Sequence, residues 1–236
     1  MLLRQLIDYN SNTYTYLLAD TESKQACLID PVLENNDQYL ELLSQLDLQL
    51  KLAIDTHVHA DHITGLGQLR DKTGCCTMFG QEGQVSCASE FFHDNSQLEL
   101  GNLKIDCWYT PGHTNDSYCF VVKHADQACL FSGDTLLIRG TGRTDFQNGC
   151  AHNLYNSLRR LLELPDDTVV YPGHDYNGRI SSTIGEERRF NQRILIEDID
   201  AFAEHMANLN LPDPKMMDVA VSANQACGEI QPPSEH

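Results

Sequence analysis

Five histidines and two aspartates of this chain, His57, His59, Asp61, His62, His113, Asp134 and His174, fall in four short islands. The islands read Thr56-His57-Val58-His59-Ala60-Asp61-His62, Pro111-Gly112-His113-Thr114, Ser132-Gly133-Asp134-Thr135 and Tyr171-Pro172-Gly173-His174-Asp175. Neutral imidazole and carboxylate are the ligands of borderline divalent metals. The first island packs four such groups into six residues. In an extended segment, His57, His59 and Asp61 would share one face. Structural zinc sites are usually closed by four ligands and are often cysteine-rich. No cysteine lies in these islands, so an open site that performs chemistry is expected over an inert metal scaffold. A lone histidine would carry no such weight, being more often a core or surface residue.

Each island follows an apolar run that reads as a strand, and loops after strands are where a rigid scaffold presents chemistry. Residues 13–18 (TYTYLL), 26–31, 52–54, 103–109, 117–123, 127–132 and 169–171 are β-branched, aromatic or aliphatic and predict strands. Helices are predicted over 37–49, where Leu40, Leu43 and Leu46 recur, from Gly65 to Lys72, over 153–163, and once or twice within 185–208. Strands come first and mixed strands and helices follow. That order predicts an α/β protein of packed sheets with helices outside, not a doubly wound parallel sheet.

The length of 236 residues suits a single domain over residues 1–228, with 229–236 expected as a loose tail. Sixteen basic against thirty-four acidic residues give a net charge of −18, which argues against nucleic acid and anionic membrane as partners. An anionic substrate would then need local arginines. No stretch approaches the roughly 20 apolar residues of a membrane span. The start has neither a secretory signal nor a long Arg- and Ser-rich leader, so a bacterial cytoplasm is expected, although a processed mitochondrial form would begin similarly. The nine cysteines form no Cys-x-x-Cys pair, and reduced thiols are expected in such a compartment.

The island pattern resembles the metallo-β-lactamase superfamily. The resemblance implies an αββα sandwich with metal along one edge of the two sheets. In dinuclear members His57, His59 and His113 would form one site and Asp61, His62 and His174 the other, with Asp134 bridging. Further segments narrow the resemblance. They are Gly133-Asp134-Thr135-Leu136-Leu137-Ile138-Arg139-Gly140-Thr141-Gly142-Arg143-Thr144-Asp145-Phe146-Gln147-Asn148-Gly149, then Tyr171 to Tyr176, Glu186 to Asn191, Asn208 to Pro212 and Ala223-Asn224-Gln225-Ala226-Cys227-Gly228. Together they resemble the persulfide dioxygenase family from about Arg4 to Gly228.

This resemblance implies one Fe(2+) per chain held by His57, His113 and Asp134, the facial-triad set of non-haem oxygenases. His59, Asp61, His62 and His174 would then support the ligands or remain as a second metal site. Arg143 and Tyr176 would act at the reacting end, and Arg143, Tyr176, Arg193 and Cys227 would bind the substrate. The usual alternative for Cys227 is a small buried apolar side chain. Asp145 and Asp175 are expected to hold Arg143 or a metal-site histidine. Thr141 replaces a cysteine of the human family member, so no thiol chemistry is expected there. The implied reaction consumes glutathione persulfide and O2 and yields sulfite and glutathione, and family analogy suggests a homodimer. The nearest rival is a dinuclear thioester hydrolase of the glyoxalase II type. Only 62 residues follow His174, which is short for that family's helical extension.

Overall fold

In the computed structural model, twelve strands form two mixed six-stranded sheets, described here for residues 1–125, 127–212 and 216–229. The first contains β1 (Leu2–Asp8), β2 (Thr13–Ala19), β3 (Gln25–Ile29), β4 (Gln49–Ile54), β5 (Cys76–Gly80) and β6 (Glu90–Phe92), paired in chain order. The second contains β7 (Gln97–Leu100), β8 (Leu103–Tyr109), β9 (Tyr118–His124), β10 (Gln127–Gly133), β11 (Val169–Pro172) and β12 (Ser182–Thr183), again in chain order. Hairpins make β1–β2–β3 and β7–β8–β9–β10 antiparallel, whereas β3–β4–β5–β6 and β10–β11 are parallel.

Alternation along the strands builds three apolar layers. Tyr16, Leu18, Cys27, Ile29 and Ile54 of the first sheet meet Phe120, Val122 and Phe131 of the second. The opposite residues of the first sheet, Leu17, Leu28 and Ala53, pack on Tyr39 and Leu43 of α1 (Asn36–Gln45) and on Leu66 and Leu69 of α2 (Leu66–Thr73). Val121, Leu130 and Val170 pack outward on α3 (Ala151–Leu161), and on Phe202 and Met206 of α5 (Ile199–Ala207), which follows α4 (Ile184–Phe190). A short helix, α6 (Met217–Gln225), closes the described chain. Both faces of the central strands are therefore covered, so all seven residues of β2 are buried, Thr13 and Thr15 included.

This is the expected αββα sandwich, and the one or two helices predicted within 185–208 are two, α4 and α5. The segment expected as a loose tail lies outside the described residues, apart from Glu229. At one edge the two sheets meet. Tyr14 N–H donates to Gly173 O at 2.8 Å and the Tyr16 hydroxyl donates to Pro172 O at 2.6 Å. The loops that leave β4, β8, β10 and β11 converge at that edge.

Candidate metal centre

The first island does not continue β4 as an extended segment. It turns away at Asp55, and side chains from distant parts of the chain hold its backbone. Asp30, at the end of β3, accepts from Thr56 N–H at 2.6 Å, and Asp116 accepts from Val58 N–H at 2.8 Å. Gln147 donates to Val58 O at 2.6 Å. Asn224 of α6 donates to His59 O at 3.0 Å and His62 O at 2.9 Å and accepts from Thr64 N–H at 2.8 Å. The His57 and His59 rings stay side by side, with centroids 4.2 Å apart, but His57 gathers with His113 and Asp134 while His59 Nε2 turns to Asp30.

His113 reaches the same point through Pro111-Gly112. Gly112 has φ +142°, and a Cβ there would stand 2.2 Å from Leu154 N at the start of α3, so only glycine fits. Asp134 follows Gly133, whose φ of +47° turns the chain sharply as β10 ends against Thr56.

Ligand-type atoms of His57, His113 and Asp134 lie within 4.8 Å of one another. Hydrogen bonds assign both imidazole tautomers. The Thr56 hydroxyl donates to Asp30 at 3.0 Å, so at 2.9 Å from His57 Nδ1 it accepts. His113 Nδ1 donates to Arg143 O at 2.8 Å. In both rings the proton sits on Nδ1 and the Nε2 lone pair is left for a metal. Burial, with the neighbouring His59 and His113, holds the His57 pKa well below its usual range, so that ring stays neutral. Burial acts to raise Asp134, but His174, His113 and His57 outweigh it and keep the carboxylate ionised. The Nε2 atoms of His57 and His113 and one Asp134 carboxylate oxygen fit a divalent ion.

The remaining four residues form a second, linked group. His174 lies between two carboxylates, with Nδ1 2.7 Å from Asp134 Oδ1 and Nε2 2.9 Å from Asp61 Oδ2. His62 Nδ1 is 3.1 Å from the same Asp61 oxygen, which also accepts from the Thr13 hydroxyl at 3.1 Å. His59 Nε2 faces Asp30 at 3.2 Å. Burial opposes protonation of His59, yet Asp30 carries its pKa up to about 9. His59, Asp61 and His62 also meet within 4.8 Å and could hold an ion. Asp61 bonds to His62 Nδ1, Thr13 and His174, and through His174 it helps fix how Asp134 is presented, whereas His59 Nδ1 and His62 Nε2 are buried with no hydrogen-bond partner among the described residues.

A cavity of about 610 Å³ opens above His57, His113, Asp134 and His174. Arg143, Tyr176 and Arg193 line it, together with Arg139 and Arg179. Asp145 takes Arg143 in a fork at 2.7 and 2.8 Å, and Phe146 lies under the guanidinium at 4.1 Å. Arg193 donates to Thr141 O at 2.7 Å and Oγ1 at 2.8 Å. The Tyr176 ring stacks on His174 with centroids 6.2 Å apart. Asp175 holds Arg179, at 2.9 Å, rather than a metal-site histidine.

Cys227 departs from expectation. It is buried and bonded to Cys87 in a disulfide, and it is not part of the cavity wall. Its sulfur is occupied, so the substrate-binding role is not supported, and the expectation of nine reduced thiols is corrected to seven. Sequence reasoning missed Asp30, Asp116, Gln147 and Asn224 as supports of the metal loop. Their contacts span 26 to 165 residues of chain, and no local spacing announces them.

Residues 9–91 and 109–174 match the family model described as the metallo-beta-lactamase superfamily. A crystal structure of ETHE1 from Myxococcus xanthus superposes with a TM-score of 0.92 at 49% identity, covering 97% of this chain and all of that one. The mitochondrial persulfide dioxygenase ETHE1 of Mus musculus is 44% identical over 99% of this chain and 91% of its own length. The chain belongs to the persulfide dioxygenase family. A probable hydroxyacylglutathione hydrolase of Schizosaccharomyces pombe is 31% identical over 88% of this chain and 91% of its own length. The persulfide dioxygenase likeness is therefore closer and nearly complete, and it extends through Arg143, Tyr176 and Arg193 to α6.

Proposed function

We propose that the protein is an Fe(II)-dependent dioxygenase that oxidises the outer sulfur of glutathione persulfide. One persulfide, one O2 and one water give glutathione, sulfite and two protons. The observation that carries this reading is the convergence of two Nε2 lone pairs and one carboxylate within 4.8 Å at the floor of an arginine-lined cavity. When bound by His57, His113 and Asp134, ferrous iron supplies redox chemistry with O2 and the coordination positions that three protein ligands leave open.

The chain's own residues bind and orient. Arg193 and Arg143 present guanidinium groups suited to the carboxylates of glutathione. Tyr176 offers its hydroxyl hydrogen to the persulfide sulfur anion. His174 holds Asp134 by one oxygen, leaving the other toward His113 at 3.5 Å and the metal position. The cavity wall of Leu137, Ile138 and Phe146 limits water around the reacting sulfur.

The rival reading has a specific basis in the His59, Asp61 and His62 cluster and in the hydrolase relative. It needs two metals and a metal-activated water. Metal quantification on anaerobically purified protein separates the two. About one iron per chain, with O2 uptake on addition of glutathione persulfide, supports the dioxygenase. Two zinc ions per chain with hydrolysis of S-lactoylglutathione would replace it by the hydrolase. Among the described residues no helix is long and apolar enough to cross a membrane. The reading further includes a cytoplasmic location and a homodimer, the latter checked by sedimentation of the loaded protein.

A further inference from the structure

The Cys87–Cys227 bridge lies outside the cavity, and no step above uses it. Its position is nonetheless tied to the metal loop. Cys227 lies just past α6, and Cys87 lies between β5 and β6. From α6, the fully buried Asn224 spends its whole amide on the loop that carries His57. It donates to His59 O and His62 O and accepts from Thr64 N–H. The contacts continue past the helix. Cys227 O accepts from Gly67 N–H at 3.0 Å, and a Cβ at Gly228 would stand 2.2 Å from Thr64 O.

Little apolar burial holds α6 there. Its apolar contacts are Ala220 and Ala223 against Ile63, with Leu33 and Met216 at the margin, and the partly buried Val221 against the core under α1 and α2. Two buried alanines bring far less hydrophobic stabilisation than one large side chain, and a nine-residue helix is marginal by itself. The disulfide spans 140 residues and is the only covalent cross-link among the nine cysteines.

We infer that the Cys87–Cys227 disulfide is a redox-controlled clamp on the metal loop, with Asn224 the positioning residue through which it acts. Disulfides in reducing compartments are typically transient and redox-sensing. Reduction by a thiol pair or a phosphine adds two electrons and two protons and returns Cys87 and Cys227 to thiols. The helix then leaves the loop more often, Asn224 releases the three backbone groups, and His57 is held less firmly. The inference requires a metal at His57, His113 and Asp134. It does not require the metal to be iron or the reaction to be persulfide oxidation.

The test follows release of metal from the loaded protein to an excess chelator under anaerobic conditions, before and after treatment with a water-soluble phosphine. The phosphine takes the oxygen of one water as the two sulfurs take its protons. Thiol titration of the denatured protein should read seven thiols before treatment and nine after. Reduction should speed metal release about tenfold, the scale on which supporting contacts set metal affinity. Cys87→Ser should release at the reduced rate with or without phosphine. Asn224→Ala should release fast in both states while its disulfide, read by the thiol count, still forms. Nine thiols in untreated protein would overturn the inference. So would equal release rates for oxidised and reduced wild-type protein, a comparison that needs no variant to fold. Loss of persulfide oxidation with an unchanged redox effect on release would refute the proposed reaction and leave the clamp standing.

Discussion

At the scale of single residues, the proposed metal site rests on three candidate ligand atoms whose orientation neighbours decide. Thr56 and the Arg143 carbonyl set the two histidine tautomers, and His174 holds one oxygen of Asp134. Loss of one ligand of three leaves too weak a site. His113→Ala and Asp134→Ala should therefore purify with little or no iron, measured as metal per chain. Arg193 and Arg143 belong to a different class. Each already has protein partners, Thr141 for the first and Asp145 for the second, so each is held where a substrate carboxylate can meet it. Arg193→Ala should keep its iron and raise KM for glutathione persulfide by about ten- to a hundredfold, the worth of one hydrogen bond to a charged group. An unchanged KM in that variant would remove Arg193 from substrate binding.

At the scale of elements, turns fix the geometry more than strands do. Gly112 lets the loop after β8 pass directly over the start of α3. Gly112→Ala places a side chain both in a backbone region alanine avoids and against Leu154. It should cost about 1–3 kcal/mol and displace His113. A lower Tm together with lower iron content checks it. The two sheets are also tied by Asp20, which ends β2 and accepts from Asn102 N–H at 2.9 Å in the β7–β8 turn. That bond, with others from Ser23 and Glu22, lowers the Asp20 pKa from 3.8 to about 2. A carboxylate whose folded pKa is depressed stabilises above its unfolded pKa. That contribution is lost as pH falls through the folded value. Asp20→Asn should therefore be less stable than wild type at neutral pH, and the gap should close between about pH 4 and pH 2 in urea unfolding. A gap that stayed constant through that range would show that the charge of Asp20 contributes nothing.

At the scale of the whole molecule, a net charge of −18 sets a repulsive field for any anion approaching from solution. Around the cavity Arg139, Arg143 and Arg179 are each offset by a carboxylate, Glu187, Asp145 and Asp175 respectively. The attraction they offer is short-ranged, while the repulsion is global. Salt screens the longer-ranged term first, with a Debye length of about 8 Å at physiological ionic strength. The kcat/KM for glutathione persulfide should accordingly rise between low and physiological salt. A fall would show that the cavity arginines dominate the encounter.

The residue types and the spacing of the islands determined that this chain binds a metal with histidine and carboxylate, and that each ligand follows a strand. Strands whose side chains are buried on one or both faces, such as β2, β4, β8, β9 and β10, were legible because burial leaves an apolar record in the sequence. The marginal ones were not. The edge strand β1 is half exposed, β6 has three residues and β12 two, and α6 carries valines and small residues without a clear apolar stripe. The resemblance named His57 and His113 among the five histidines, but the residue types and spacing alone left all five open, and only the tertiary structure brings these two together with Asp134. His57 and His59 are two residues apart, yet Asp30, Asp116, Gln147 and Asn224 bend their loop so that one meets Asp134 and the other Asp30. The Cys87–Cys227 bond was equally hidden, because a disulfide depends on two β-carbons arriving together and not on the spacing of cysteines along the chain. Ligand chemistry is a property of side chains and can be read in sequence. Ligand selection is a property of long-range hydrogen bonds to the backbone, and only folding brings those partners together.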